Sequence, residues 1–133
     1  MKYKSAQHSG LIFMFLGVAL GALSSHALKS VLSPEQLGSF IIGVEYMIYH
    51  GLALLALSSW NFKSEKGIKN AFRCMIAGQI LFSGSIFLLS TKSLHHMPIG
   101  ILGPLTPIGG LFLLLAWGIL IWKVVTEKII SEQ

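Results

Sequence analysis

Charge is confined to a few short segments of this chain, and everything between them is apolar. Gly10 to about Leu28, Phe40 to Leu57, Ile76 to Leu89 and Leu111 to Val125 hold almost no ionised side chain. A run of about 20 such residues matches the hydrocarbon thickness of a bilayer. The chain has 133 residues, which is room for about four such runs and no sizeable soluble domain. Only 11% of its residues are charged, where a soluble domain carries about 25%. Mean hydropathy is +0.72. The class is an all-α integral membrane protein, a four-helix bundle running up-down-up-down. Spans are expected near 9–28, 34–60, 70–90 and 106–126, as one domain over 1–133.

The formal charge of +5 does not point to nucleic acid. The basic residues flank apolar runs, as they do beside an anionic leaflet. On the side of the termini and the middle loop stand Lys2, Lys4, Lys63, Lys66, Lys69, Arg73, Lys123 and Lys128; on the other stand Lys29 and Lys92. That asymmetry predicts both termini in the cytoplasm. The expected location is the bacterial inner (plasma) membrane, crossed several times. Cys74 is the single cysteine, so neither an internal disulfide nor a thiolate-only metal site exists. It reads as a small packing residue.

The first run follows a short positive start, Met1-Lys2-Tyr3-Lys4. A cleavable signal is the rival reading, but the apolar stretch is long for one, and an uncleaved span is expected. Gly10, Gly17 and Gly21 form a small-residue stripe. It serves either a partner or homo-oligomer contact or packing within the bundle, and the second is favoured because the chain must first pack its own helices. Leu32-Ser33-Pro34-Glu35-Gln36-Leu37 is a helix start: Ser33 as N-cap, Pro34 first in the helix, Gln36 closing a capping box, Leu32 and Leu37 as staple. Asn61 to Arg73 reads as a polar loop. In the third span Ala71, Gly78 and Ser85 repeat at seven, and Gln79 with Ser83-Gly84-Ser85 makes the interior polar. Thr91 to Thr106 is apolar but rich in Pro and Gly, and is expected to fold as a loop over the outer end. Trp60 and Trp122 fall near one membrane face.

The second span carries Glu45-Tyr46-Met47-Ile48-Tyr49-His50. At about 100° per residue, Glu45, Tyr49, Tyr46 and His50 fall within roughly 140° of arc. Depth along alternating helices brings His26, Glu45, Tyr46, Tyr49, His50, Ser83, Ser85 and Thr106 to the outer half of the bilayer. They are expected to form one inward-facing cluster, with Glu45 in hydrogen-bond reach of Tyr46, Tyr49, His26 or His50.

Several stretches together resemble the domain-of-unknown-function 423 group, the YgdD/YwdK-like small four-span bacterial inner-membrane proteins. They are residues 21–28 (GALSSHAL), 32–36 (LSPEQ), 43–54 (GVEYMIYHGLAL), 81–85 (LFSGS) and 102–110 (LGPLTPIGG). The resemblance implies the fold and the membrane and no established activity.

Intramembrane ionisable groups are functional candidates by default. The leading reading of the cluster is a hydrogen-bonded device that fixes helix registry. A proton or substrate relay comes second. A metal site on His26, Glu45 and His50 is a weak third, since no His-Glu-x-x-His spacing is present. His95 and His96 read as a solvated loop pair. No nucleophile has a neighbouring base, so an enzyme is not expected, and no cofactor is called for. Two function classes remain: an accessory protein acting through helix packing, or a small transporter using the Glu45/His50 region. A transporter needs polar residues towards both faces, and Leu52 to Leu57 and Leu111 to Ala116 are wholly apolar, which favours the accessory reading.

Overall fold

A computed structural model describes residues 3–62, 65–95, 100 and 102–126. Its four helices are α1 (Lys4–Ser25), α2 (Pro34–Ser58), α3 (Glu65–Ser90) and α4 (Leu105–Thr126). Each is long and apolar enough to cross a membrane, and the described residues hold no strand. Short 3-10 turns, Leu28–Ser30 and Lys92–Leu94, follow α1 and α3.

The expected start of α2 is present in full. Ser33 Oγ accepts from Gln36 N at 3.2 Å, and Gln36 Oε1 accepts from Ser33 N at 3.1 Å. Leu32 is buried with Leu37 packed in the same cluster, which completes the staple. Three boundaries differ from expectation by three residues or more. α1 begins at Lys4 rather than residue 9, and it stops at Ser25. At its end the Ser24 and Ser25 hydroxyls both donate to Gly21 O, at 2.7 and 3.1 Å, competing for the carbonyl of the last turn. α3 begins at Glu65, so most of the expected polar loop, residues 65–73, is helix. Its first turns are amphipathic: Ile68, Ala71 and Phe72 are buried, while Lys69 donates to Glu65 at 2.8 Å on the outside.

The helices pair in chain order, each antiparallel to the next. Gly10 lies against Gly51 and Leu55, Gly17 against Ile48, and Gly21 against Val44. The stripe on α1 is therefore filled by α2 and packs inside the chain. A methyl at Gly10 would stand 2.9 Å from Gly51 O, so glycine is what lets the two backbones meet. The seven-residue stripe on α3 does the same for α4: a methyl at Gly78 would stand 2.9 Å from both Gly109 O and Leu113 N. α2 and α3 meet along Gly43, which faces Ile86 and Phe87. α1 and α4 make marginal contact at most, as do α2 and α4.

Two ends can be distinguished. The terminal end carries the start of α1 and the end of α2. There Tyr3 is buried, edge-on to Phe72 (5.2 Å between ring centres) and Phe62 (6.5 Å), and Trp60 and Trp122 are exposed. The opposite, loop end carries the start of α2. At that end His95 Nε2 lies 3.0 Å from Leu88 O, so His95 folds back on α3. His96 and most of the Pro/Gly-rich stretch, residues 96–99 and 101, lie outside the described residues.

Candidate functional site

The polar interior of the protein is built on α3. Gln79 and Ser83 are one turn apart, both fully buried, and both face α2. Ser83 Oγ lies 2.7 Å from Gly43 O and 2.5 Å from the Gln79 amide. The amide satisfies its surroundings with its oxygen toward Ser83 Oγ and Met47 N (3.2 Å) and its nitrogen toward Tyr46 O (3.2 Å). The reverse orientation sets its oxygen against that carbonyl. The single Ser83 proton then serves Gln79 or Gly43 O, one at a time.

His50 stands beside this pair, 7% exposed. Its Nδ1 is 2.8 Å from Tyr46 O, one turn back on α2. Trp117 on α4 donates its indole N–H to His50 Nε2 at 3.3 Å. An indole can only donate, so Nε2 carries the lone pair and Nδ1 the proton, donated to Tyr46 O. The imidazole is thus held neutral, in one tautomer, between two helices whose backbones make marginal contact at most.

Of the expected cluster, the structure brings together only part. His50, Ser83 and, through its backbone carbonyl, Tyr46 belong to the network. Ser85 and Thr106 pair separately, Oγ to Oγ1 at 2.6 Å, on the α3–α4 side. Glu45 is exposed and makes no hydrogen bond or ion pair among the described residues, which corrects its expected inward position. His26, exposed just past α1, and the hydroxyls of Tyr46 and Tyr49 likewise bond nothing there. The physical reason is the breadth of the arc. Two helices pack on α2 through Gly43, Val44, Met47, His50 and Gly51, and this leaves Glu45 and Tyr49 on the outside. Among the described residues no three His, Cys, Asp or Glu side chains converge as a metal would require, so His26, Glu45 and His50 are not a ligand set.

Two residues were missed. In the sequence Gln79 signals only interior polarity, and the signal at Trp117 is its place eight residues short of Val125, away from the interfacial position of Trp122.

Of two cavities, one lies apart from the network at the loop end and one adjoins it. One, about 530 Å3, opens at the loop end among Ser33, Glu35, Gln36, Ser90, Lys92 and Thr106. The other, about 700 Å3, is a lateral groove between α2 and α4 with Phe82 of α3 as floor; Tyr46, Tyr49, His50, Gly110 and Trp117 line it. Below His50, towards the terminal end, the described core is apolar until the last residue of α2, where buried Ser58 donates to the Leu55 carbonyl of its own helix at 2.9 Å. Leu54, Met75 and Ala116 are fully buried there, with Phe13 and Leu120 beside them.

Fold and site together define a four-helix membrane protein with a one-sided buried hydrogen-bond network. The chain belongs to the family described as protein of unknown function DUF423, whose family model matches residues 20–110. It is 34% identical to the UPF0382 membrane protein YwdK of Bacillus subtilis over 113 residues, 81% of this chain and 85% of that one. It is 40% identical to a UPF0382 membrane protein of Schizosaccharomyces pombe over 103 residues, 77% and 86% of the two chains. A UPF0382 membrane protein of Haemophilus influenzae is 31% identical over 103 residues, 77% and 79%. The yeast relative shows that the family is not confined to bacteria. No solved structure matches the chain.

Proposed function

We propose that the protein is a non-enzymatic accessory protein of the bacterial plasma membrane, with both termini in the cytoplasm, that acts through helix packing and moves no solute. The observation that carries this reading is the apolar half of the interior. Leu54, Met75 and Ala116 are fully buried below His50, and Ile68, Ala71, Phe72 and Tyr3 continue the same core to the terminal end. A proton or hydrophilic substrate at Gln79 and His50 would meet only apolar side chains before Ser58, whose hydroxyl is engaged by its own helix. An alternating-access site needs groups that serve both faces. The network instead locks α2 to α3 and α4, the registry role that buried polar side chains play between membrane helices. The orientation rests on the Lys/Arg asymmetry, eight residues against two.

The test is proton flux into proteoliposomes under an imposed potential, comparing wild type with Glu45→Gln and His50→Ala. All three are expected to match protein-free liposomes. Flux above that baseline in wild type, lost in either variant, would overturn the reading in favour of a relay.

A further inference from the structure

The lipid-facing surface of α2 contains a group that lipid cannot accommodate. Glu45 is the twelfth of α2's 25 residues, about 16 Å from Pro34 at 1.5 Å per residue. That is hydrocarbon depth for a helix of this length. Its carboxyl is exposed and bonds to nothing among the described residues. Carboxyl groups at such depth face a protein partner or a water-filled cavity, not acyl chains.

The surroundings of Glu45 indicate what that partner is. Gly38, Ile42, Glu45, Tyr49, Leu52 and Ala56 are all exposed. Their spacing alternates four and three, the heptad spacing of a helix seam, and they fall within an arc of about 80°. Ile42, Tyr49 and Leu52 are 46, 58 and 50% exposed, so nothing in the chain covers the seam. Glycine and alanine at its two ends allow close approach. The seam also holds both halves of one hydrogen bond: the Glu45 carboxyl is an acceptor, and the Tyr49 hydroxyl, one turn away, is a donor bonded to nothing among the described residues.

We propose that two copies of this chain pair along this face of α2, with Tyr49 of each copy donating to Glu45 of the other. Two copies in one membrane share an orientation, so their two-fold axis runs along the membrane normal and matches residues at equal depth. Side chains on a helix tilt towards its N-terminus, which carries the Tyr49 ring back over the turn bearing Glu45. A second copy therefore supplies what Glu45 lacks without any foreign chemistry. The glycine stripe of α1 is not available for this contact, because α2 fills it.

The test is cysteine cross-linking in native membranes on a Cys74→Ser background. Ile42→Cys and Leu52→Cys place thiols on the seam; Phe15→Cys on α1 and Ile121→Cys on α4 place them on other exposed faces. The two seam variants are expected to form a disulfide-linked species of twice the monomer mass, and the other two to remain monomeric. In the second arm, subunit exchange between labelled copies in liposomes reports the dimer equilibrium. Glu45→Ala removes both symmetry-related bonds and is expected to weaken association about tenfold, the equivalent of two interhelical hydrogen bonds of ~0.7 kcal/mol each, and Glu45→Gln, which still accepts, by less. Cross-linking no better at the seam than at Phe15→Cys, linkage only to a different protein, or a Glu45→Ala dimer as tight as wild type would each overturn the proposal.

Discussion

Replacing Gly109 by alanine tests how α4 is held. A methyl at this position would stand 2.8 Å from Phe82 Cα and 2.9 Å from Gly78 O, and closer still to Phe82 N. These are backbone atoms of α3, and no rotamer change relieves them. Ordinary contact begins at 3.4 Å, and the closest of these atoms, Phe82 N, sets the displacement, so α4 must retreat by about 1 Å. Thr106 lies one turn earlier on the same helix, and the same retreat would open its 2.6 Å bond to Ser85 beyond hydrogen-bond range. Overpacking costs about 1–3 kcal/mol. A backbone target puts Gly109 at the upper end of that range. Losing the Ser85–Thr106 bond adds roughly 0.6 kcal/mol, and the higher helix propensity of alanine returns up to about 1 kcal/mol. The expected net destabilisation is about 2–3 kcal/mol. Reversible unfolding in mixed micelles measures it, with Gly118→Ala as the control, since nothing lies within 4 Å of a methyl there. If Gly109→Ala unfolds at the same denaturant fraction as Gly118→Ala, α3 and α4 do not meet backbone to backbone and the packing argument fails.

Two further outcomes follow from the network and the charge asymmetry. Gln79→Leu leaves Tyr46 O and Ser83 without their partner on α3, and is expected to destabilise by about 1–2 kcal/mol in the same assay; an unchanged midpoint would mean that Gln79 bridges nothing. A reporter that is active only outside the cytoplasm, fused at Gln133, is expected to stay silent, and strong activity would reverse the orientation drawn from the lysines.

Much of this architecture was legible because its signals are local. The Ser33–Gln36 capping box, the Pro34 start and the small-residue stripe at Ala71, Gly78 and Ser85 each depend on residues a few positions apart, and the structure uses each as expected. The facing of Glu45 was not legible. A helical wheel gives the angle between residues but not which way the whole wheel is turned. His50 and Glu45 are 140° apart, wider than one contact face, so the helix had to choose between them. Gly43, Met47 and Leu54 turned the choice: they carry His50 inward beside Gln79 and leave Glu45 outside. The α3 boundary was misread for a related reason. Lys66, Lys69 and Arg73 look like loop charge, but they lie on the solvent side of turns whose other side buries Ile68 and Phe72.

The division of the polar network between α2 on one hand and α3 and α4 on the other bears on how the chain assembles during synthesis. Gly43, Tyr46 and His50 belong to the hairpin of α1 and α2; Gln79, Ser83 and Trp117 belong to the hairpin of α3 and α4. Each hairpin closes on its own glycines, so the first is a finished pair before the second has left the ribosome. What it then presents sideways is the lone pair of His50 Nε2 and the spare lone pairs of Gly43 O and Tyr46 O, acceptors with no partner in hydrocarbon. Apolar surface gains nothing by leaving lipid for another helix, but an unsatisfied imidazole or carbonyl does. The first hairpin is in this sense a template awaiting its complement, and Ser83, Gln79 and Trp117 arrive as the groups that recognise it.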